Sequence, residues 1–172
     1  MPDKYFLTTP LYYVNSKPHV GHAYTQIAAD ALARSMRLRG KKVLFLTGTD
    51  EHGQKVDKAA QAAHLPPKEF TDRISETFRS LWATLNIQYD DFIRTTEIRH
   101  VEAVQTVWGK LHAAEEIYKS KYSGYYCTPD ETFFSDRQIV FEGAQAMCPD
   151  CKRPVERIEE ENYFLKISKN QA

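Results

Sequence analysis

The stretch "KYFLTTPLYYVNSKPHVGHAYT", residues 4–25, changes its period partway along, and that change decides the fold. Lys4–Thr9 is a short β-type run that Pro10 ends. A loop through Pro18 follows. From about His19 the residues Tyr24, Ile27, Ala28, Ala31 and Leu32 recur at helical spacing. Arg37 and Arg39 charge the last turn, and Gly40 stops the helix. "KVLFLT", Lys42–Thr47, is then a continuous apolar run, as expected for a strand covered on both faces.

The pattern repeats outward from there. "GTDEHG" leads into a short helix through "QKVDKAAQAA", and Pro66 and Pro67 introduce a longer one with Phe70, Ile74, Phe78, Leu81 and Leu85 on one face. "DDFIRTT" reads as a third strand. A helix from about Glu97 to Ile117 is marked by Val101, Val104, Trp108 and Leu111. Strand and helix alternating in this order predict an α/β fold with a parallel sheet and right-handed crossovers. After Tyr118 the texture changes. "KSKYSGYYCTPDETFF" is rich in aromatics and turn formers and predicts short antiparallel strands, so a domain boundary is expected near residue 117.

Charge and composition bound the function. Lys plus Arg equals Asp plus Glu at 23 each, so no overall basic field draws the chain onto nucleic acid or anionic lipid. RNA contact would require a local surface. No stretch approaches the roughly 18 apolar residues of a membrane span. "MPDKYFLTTP" has no secretory apolar core, and a cytoplasmic location is expected. The three cysteines, Cys127, Cys148 and Cys151, suit a metal or free thiols in a reducing compartment better than a disulfide framework.

Four constellations carry possible chemistry. His19 and His22 fall at the first strand–helix loop, where open α/β sheets bind ligands and where the helix N-terminus favours phosphate. Imidazoles there can donate to phosphate oxygens, and Gly21 lets a flat base or ribose lie against the backbone. The plain alternative is two exposed histidines at a helix start. Asp50 of "GTDEHGQK" follows the second strand and can take an ammonium group, or merely cap the next helix. Glu51 and Lys55 read better as part of a capped turn. Leu11, Tyr12 and Tyr13 can wall an apolar pocket or line the core. Lastly, "CPDC" (Cys148–Cys151) is a knuckle, and Cys127 opens a second half, "CTPD", in which Asp130 stands at the fourth position. Three thiolates and a carboxylate can ligate zinc; a knuckle held by packing alone is the alternative.

Taken together these motifs resemble the class I aminoacyl-tRNA synthetases, and within them the methionine-specific, bacterial single-knuckle branch. "PHVGH" is similar to the class I "HIGH" signature. "TTPLYYVNSKPHVGHAYT" with "FLTGTDEHGQK", then "YYCTPDETFF", "CPDCKRPVE" and "EENYFLKIS", agree with that branch in order and spacing over nearly the whole chain.

The resemblance implies a first half of a Rossmann-like catalytic domain over 1–117 and part of an inserted zinc-knuckle domain over 118–172. It implies activation of methionine by ATP with Mg²⁺, then transfer to tRNA(Met). By position, His19 and His22 are expected to stabilise the ATP phosphates and Gly21 to seat the adenosine. Asp50 is expected to hold the methionine ammonium, with Leu11 and Tyr13 in its pocket. Cys127, Asp130, Cys148 and Cys151 are the expected metal ligands, with Asp130 where the family has a cysteine.

It further implies an N-terminal part of a longer enzyme, closing at "KISKNQA" before the lysine-rich "KMSKS" loop and the anticodon-binding helices. Three rival readings are a synthetase for another amino acid, a small H-x-G-H nucleotidylyltransferase, and a non-catalytic metal- or partner-binding fragment.

Overall fold

The computed structural model describes residues 3–171, and by internal packing they fall into two compact units that divide after Val104. The first unit is built on a parallel sheet. Strand β1 (Lys4–Thr8) pairs along one side of β3 (Lys42–Asp50), with Phe6 opposite Leu44. Beyond the Pro10 break the chain returns to the same side as a two-residue strand, β2 (Tyr12–Tyr13), with Tyr13 opposite Asp50. Strand β4 (Asp91–Arg94) pairs with the other side of β3.

The helices are α1 (Val20–Leu38), α2 (Gln54–Ala62) and α3 (Pro67–Thr84). As expected, Gly40 ends α1: it lies at positive φ, and the Gly40 and Lys41 N–H groups donate to the Arg37 and Met36 carbonyls. Pro67 at the first helical position starts α3, and Asn86 in the left-handed region ends it.

The strand order β1–β3–β4 runs in one direction across the sheet. Right-handed crossovers then place both connections on one face. Accordingly Gln26 of α1 meets Thr47, and Ser75 of α3 meets Thr49, on the same side of β3. Phe45, Phe78 and Trp82 are fully buried there, and Tyr12, Val14, Val56, Ala60, Phe70, Phe78, Trp82 and Phe92 form one core. The opposite face departs from the expectation of a strand covered on both sides. Phe6 is 63% and Leu44 51% exposed, over a cleft of about 470 Å³ that Lys4, Lys42 and Asp90 also line.

Helix α4 (Ile98–Ala113) stops earlier than the expected Ile117. Glu115 takes a positive φ, the Glu116 N–H donates back to the Leu111 carbonyl, and Ile117 already begins a strand. The division after Val104 falls inside this helix, whose later turns carry Trp108 edge-on to Tyr163 at 5.3 Å. In that unit β5 (Ile117–Cys127) pairs antiparallel with β9 (Glu156–Leu165) and with β6 (Thr132–Phe134). β7 (Val140–Glu142) and β8 (Gln145–Met147) form a hairpin, and a 3₁₀ turn (Ile167–Asn170) follows β9. Among the described residues no helix is long and apolar enough to cross a membrane.

Candidate active site

At the carboxyl ends of β1, β3 and β4 the first unit sets Thr9, Asp50, Glu51 and Thr95. Helix α1 begins there with an unusual cap. His19 is the N-cap in extended conformation, and its Nδ1 accepts the Gly21 N–H at 3.1 Å. His22 Nδ1 in turn accepts the His19 N–H at 3.2 Å, so the two histidines do the work that Ser and Glu do in an ordinary capping box.

This geometry decides their chemistry. A ring nitrogen that accepts an N–H cannot carry the proton, so both neutral imidazoles are protonated at Nε2. The rings stack with centroids 3.8 Å apart. The result is a pair of N–H donors at the positive end of a 19-residue helix. Burial, and secondarily the charge of His19, hold the His22 pKa below the usual histidine value. Neutral imidazole is therefore favoured at His22, as the cap requires.

Gly21 serves its own neighbour. A Cβ at this position lies 3.0 Å from Cε1 of His19, so a side chain would press on the capping ring. His22 also rests on the core: it packs edge-on to Tyr12 at 5.0 Å and lies 5.3 Å from Phe78.

Asp50 ends β3, half-buried, with its carbonyl accepting the Val14 N–H at 3.4 Å. The structure brings Tyr13 beside it through the β2–β3 register, and the Lys55 ammonium lies 5.8 Å from the Tyr13 ring centre. Leu11 is partly exposed just before β2. The buried aromatic of "LYY" is Tyr12, 5% exposed, whose hydroxyl donates to Gln26 Oε1. Gln26 is fully buried, accepts from Thr47 as well, and among the described residues its Nε2 has no hydrogen-bond partner.

Residue-by-residue reading missed Gln26; it left Tyr12 between pocket wall and core lining, of which the structure shows core, and it gave Glu51 a different role. The Tyr12–Gln26 contact spans a loop and a helix turn, and only the β2–β3 pairing turns Tyr12 inward. Glu51, read as part of a capped turn, is instead buried in a charge network. Its carboxylate receives the Arg94 guanidinium at 2.6 and 2.9 Å, and Arg94 also pairs with Asp72. Glu51 chiefly, against the opposing effect of burial, raises the Arg94 pKa above its ordinary value.

In the second unit the four expected ligand atoms converge. Those of Cys127, Asp130, Cys148 and Cys151 lie within 4.8 Å of one another. Asp130 Oδ2 is 3.2 Å from the Cys127 Sγ and 3.1 Å from the Cys148 Sγ, and Cys127 and Cys151 are 3.5 Å apart at sulfur. Burial pushes the Cys127 thiol up to about 12. Two turns build the cluster: one follows β5, the other follows β8, where the Cys148 N–H donates to the Arg153 carbonyl.

A tetrahedral zinc with bonds of about 2.0–2.3 Å holds its ligand atoms roughly 3.5–4 Å apart. The Cys127–Cys151 separation meets that spacing. The Asp130 oxygen stands a few tenths of an ångström closer to the Cys127 and Cys148 sulfurs, so the donor set of three thiols and one carboxylate suits zinc with a small outward shift of Asp130.

The family described as tRNA synthetases class I (M) matches residues 5–169. The chain is 52% identical to the methionine–tRNA ligase of Thermotoga maritima over 166 residues, 96% of this chain and 26% of that protein. It is 50% identical to the methionine–tRNA ligase of Rickettsia conorii over 171 residues, 99% of this chain and 33% of the relative. Among solved structures, Mycobacterium tuberculosis methionyl-tRNA synthetase in complex with methionyl-adenylate superposes with a TM-score of 0.90 at 43% identity. That match covers 97% of this chain and 33% of the other. The chain thus spans between a quarter and a third of the length of these relatives.

Proposed function

The chain belongs to the class I tRNA synthetases (M), and from that premise we propose that its first unit carries the methionine-activation site of a methionine–tRNA ligase. Methionine and ATP give methionyl-adenylate and pyrophosphate, and the methionyl group then passes to the 3′ end of tRNA(Met). The observation that carries this reading is the histidine capping box, which fixes two Nε2–H donors at a helix N-terminus.

In the first step a carboxylate oxygen of methionine attacks the α-phosphorus. A new O–P bond forms, and the bond to the bridging oxygen of pyrophosphate breaks, leaving its electron pair on pyrophosphate. Negative charge shifts onto phosphate oxygens, and His19 and His22 donate to them without having to gain or lose a proton. The Asp50 carboxylate takes the methionine ammonium and holds its carboxylate in line for attack, with Tyr13 and Leu11 on the side-chain wall. Gly21 leaves room for the adenosine. Mg²⁺ supplies counter-charge to the triphosphate when bound.

In the second unit Cys127, Asp130, Cys148 and Cys151 would hold zinc, which would cross-link the two knuckle turns. In domain terms, residues 1–117 are catalytic and 118–172 belong to an inserted domain, in a cytoplasmic protein.

Titration calorimetry with non-hydrolysable methionyl-, leucyl- and isoleucyl-adenylate analogues tests the reading. Binding of the methionyl form alone, abolished by Asp50→Asn, is the expected result. Equal affinity for all three side chains would refute methionine specificity.

A further inference from the structure

Glu51 is the buried charge that the activation step does not use. It is 4% exposed, and its side chain is fully covered. Four hydrogen bonds reach its carboxylate, from Arg94 Nε, Arg94 Nη2, Thr49 Oγ1 and Thr96 Oγ1. An ionised carboxylate has about four acceptor positions. None remains for a substrate or for a proton, so Glu51 is neither a ligand-binding group nor a base.

Nor does stability account for it. Buried ion pairs are weak stabilisers, because their desolvation offsets their attraction, and apolar replacements of similar volume are often neutral or better. What the pair does supply is geometry, because an Arg–carboxylate fork is directional.

The network holds backbone on both sides of Asp50. Before it, Thr49 donates to Glu51 through its hydroxyl, lies 3.2 Å from the Ser75 hydroxyl, and accepts the Thr95 N–H at its carbonyl. After it, the Glu51 N–H donates to Thr95 Oγ1 at 2.9 Å, and His52 Nε2 lies 3.3 Å from the Thr95 carbonyl. Arg94 extends the fork to Asp72 on α3. The ends of β3 and β4 and the early turns of α3 are therefore fastened to one another, with Asp50 held between two anchored neighbours.

We propose that Glu51 and Arg94 are positioning residues: their fork fixes the backbone either side of Asp50 and so sets where the Asp50 carboxylate meets the ammonium group of the amino acid. This rests on the reading of Asp50 given above.

The test uses this chain with Glu51→Gln, which removes the charge and keeps the shape, and Arg94→Lys, which keeps the charge and removes the fork. Two measurements are made on each. Amide exchange of Val14, Glu51 and Thr95 is expected to quicken about tenfold in both variants, as for one lost charged hydrogen bond. Exchange within β5 and β9 should stay as in the parent chain.

Affinity for a methionyl-adenylate analogue is expected to fall at least about tenfold in both, since sub-ångström displacement of a binding group is felt strongly. Affinity for the analogue lacking the amino group, which Asp50 does not contact, should stay unchanged. Equal weakening of both analogues shows a general structural role and overturns the proposal. So does weakening by Glu51→Gln but not Arg94→Lys, which marks a charge effect. Unaltered exchange at the three amides overturns it as well.

If the parent chain binds neither analogue, the reading of Asp50 loses its support and the exchange data alone decide the pinning. Should Glu51→Gln fail to fold, the paired Glu51→Met/Arg94→Met variant removes both charges together and answers the same question.

Discussion

At the scale of single residues, the cap of α1 couples protonation to folding. The His22 pKa is held below its ordinary value by burial, so between the folded value and about 6.5 the unfolded chain binds more protons than the folded one. Stability contributed by neutral His22 is complete above about 6.5 and is lost as pH falls through the lower, folded value. Chemical unfolding at a series of pH values should therefore show a decline on the acid side of neutrality, flattened in His22→Gln; equal slopes for the two proteins would remove His22 from the effect. The H-x-G-H spacing is legible in the chain, because it is local. The tautomer is not, since it depends on which backbone N–H each Nδ1 meets. Glu51 was hidden for a related reason: its partner Arg94 is 43 positions away and becomes a neighbour only once β3 and β4 pair.

Among elements, the parallel sheet was legible from the alternation of strand-like and helix-like periods, and strand order was not. That order explains why the apolar run of β3 is fully buried at Phe45 while Leu44, on the opposite face, is half exposed. It also explains β2, a two-residue strand that no periodicity announces because the Pro10 break leaves room for so little pairing. Two glycines separate pairing from propensity. At Gly48 a Cβ would sit 1.9 Å from the Ile93 carbonyl oxygen, because β3 and β4 approach closely there. Gly48→Ala is expected to destabilise by about 3 kcal/mol, as for forced overpacking. Gly109, inside α4, has nothing within 4 Å of an added Cβ. Gly109→Ala should stabilise by roughly 0.5–1 kcal/mol through helix propensity. Urea midpoints of the two variants measure both, and a shift of the same sign would contradict the geometry.

For the whole molecule, the two units differ in what holds them together. The first has a core of large side chains, including Phe78 and Trp82. The second gathers Cys127, Phe134, Ala146, Cys148 and Val155, a small set in which two members are thiols. A core that small needs a cross-link. Withdrawing metal with a chelator is expected to release amide protection from Cys127 to Val155 while α3 keeps its own; uniform loss, or none, would show that zinc does not hold the knuckle. The change of texture near residue 117 is readable because it is compositional. The division after Val104 is not, since it falls inside α4 and the later turns meet residues far along the chain, as Trp108 meets Tyr163, which no local pattern encodes. The bare Phe6–Leu44 face has a practical side. Environment-sensitive dyes brighten on exposed apolar surface, which is why they report loosened states. This chain offers such a surface while fully folded. A dye-based melting curve will begin bright and rise little, and intrinsic tryptophan emission from the buried Trp82 is the signal that will track its unfolding.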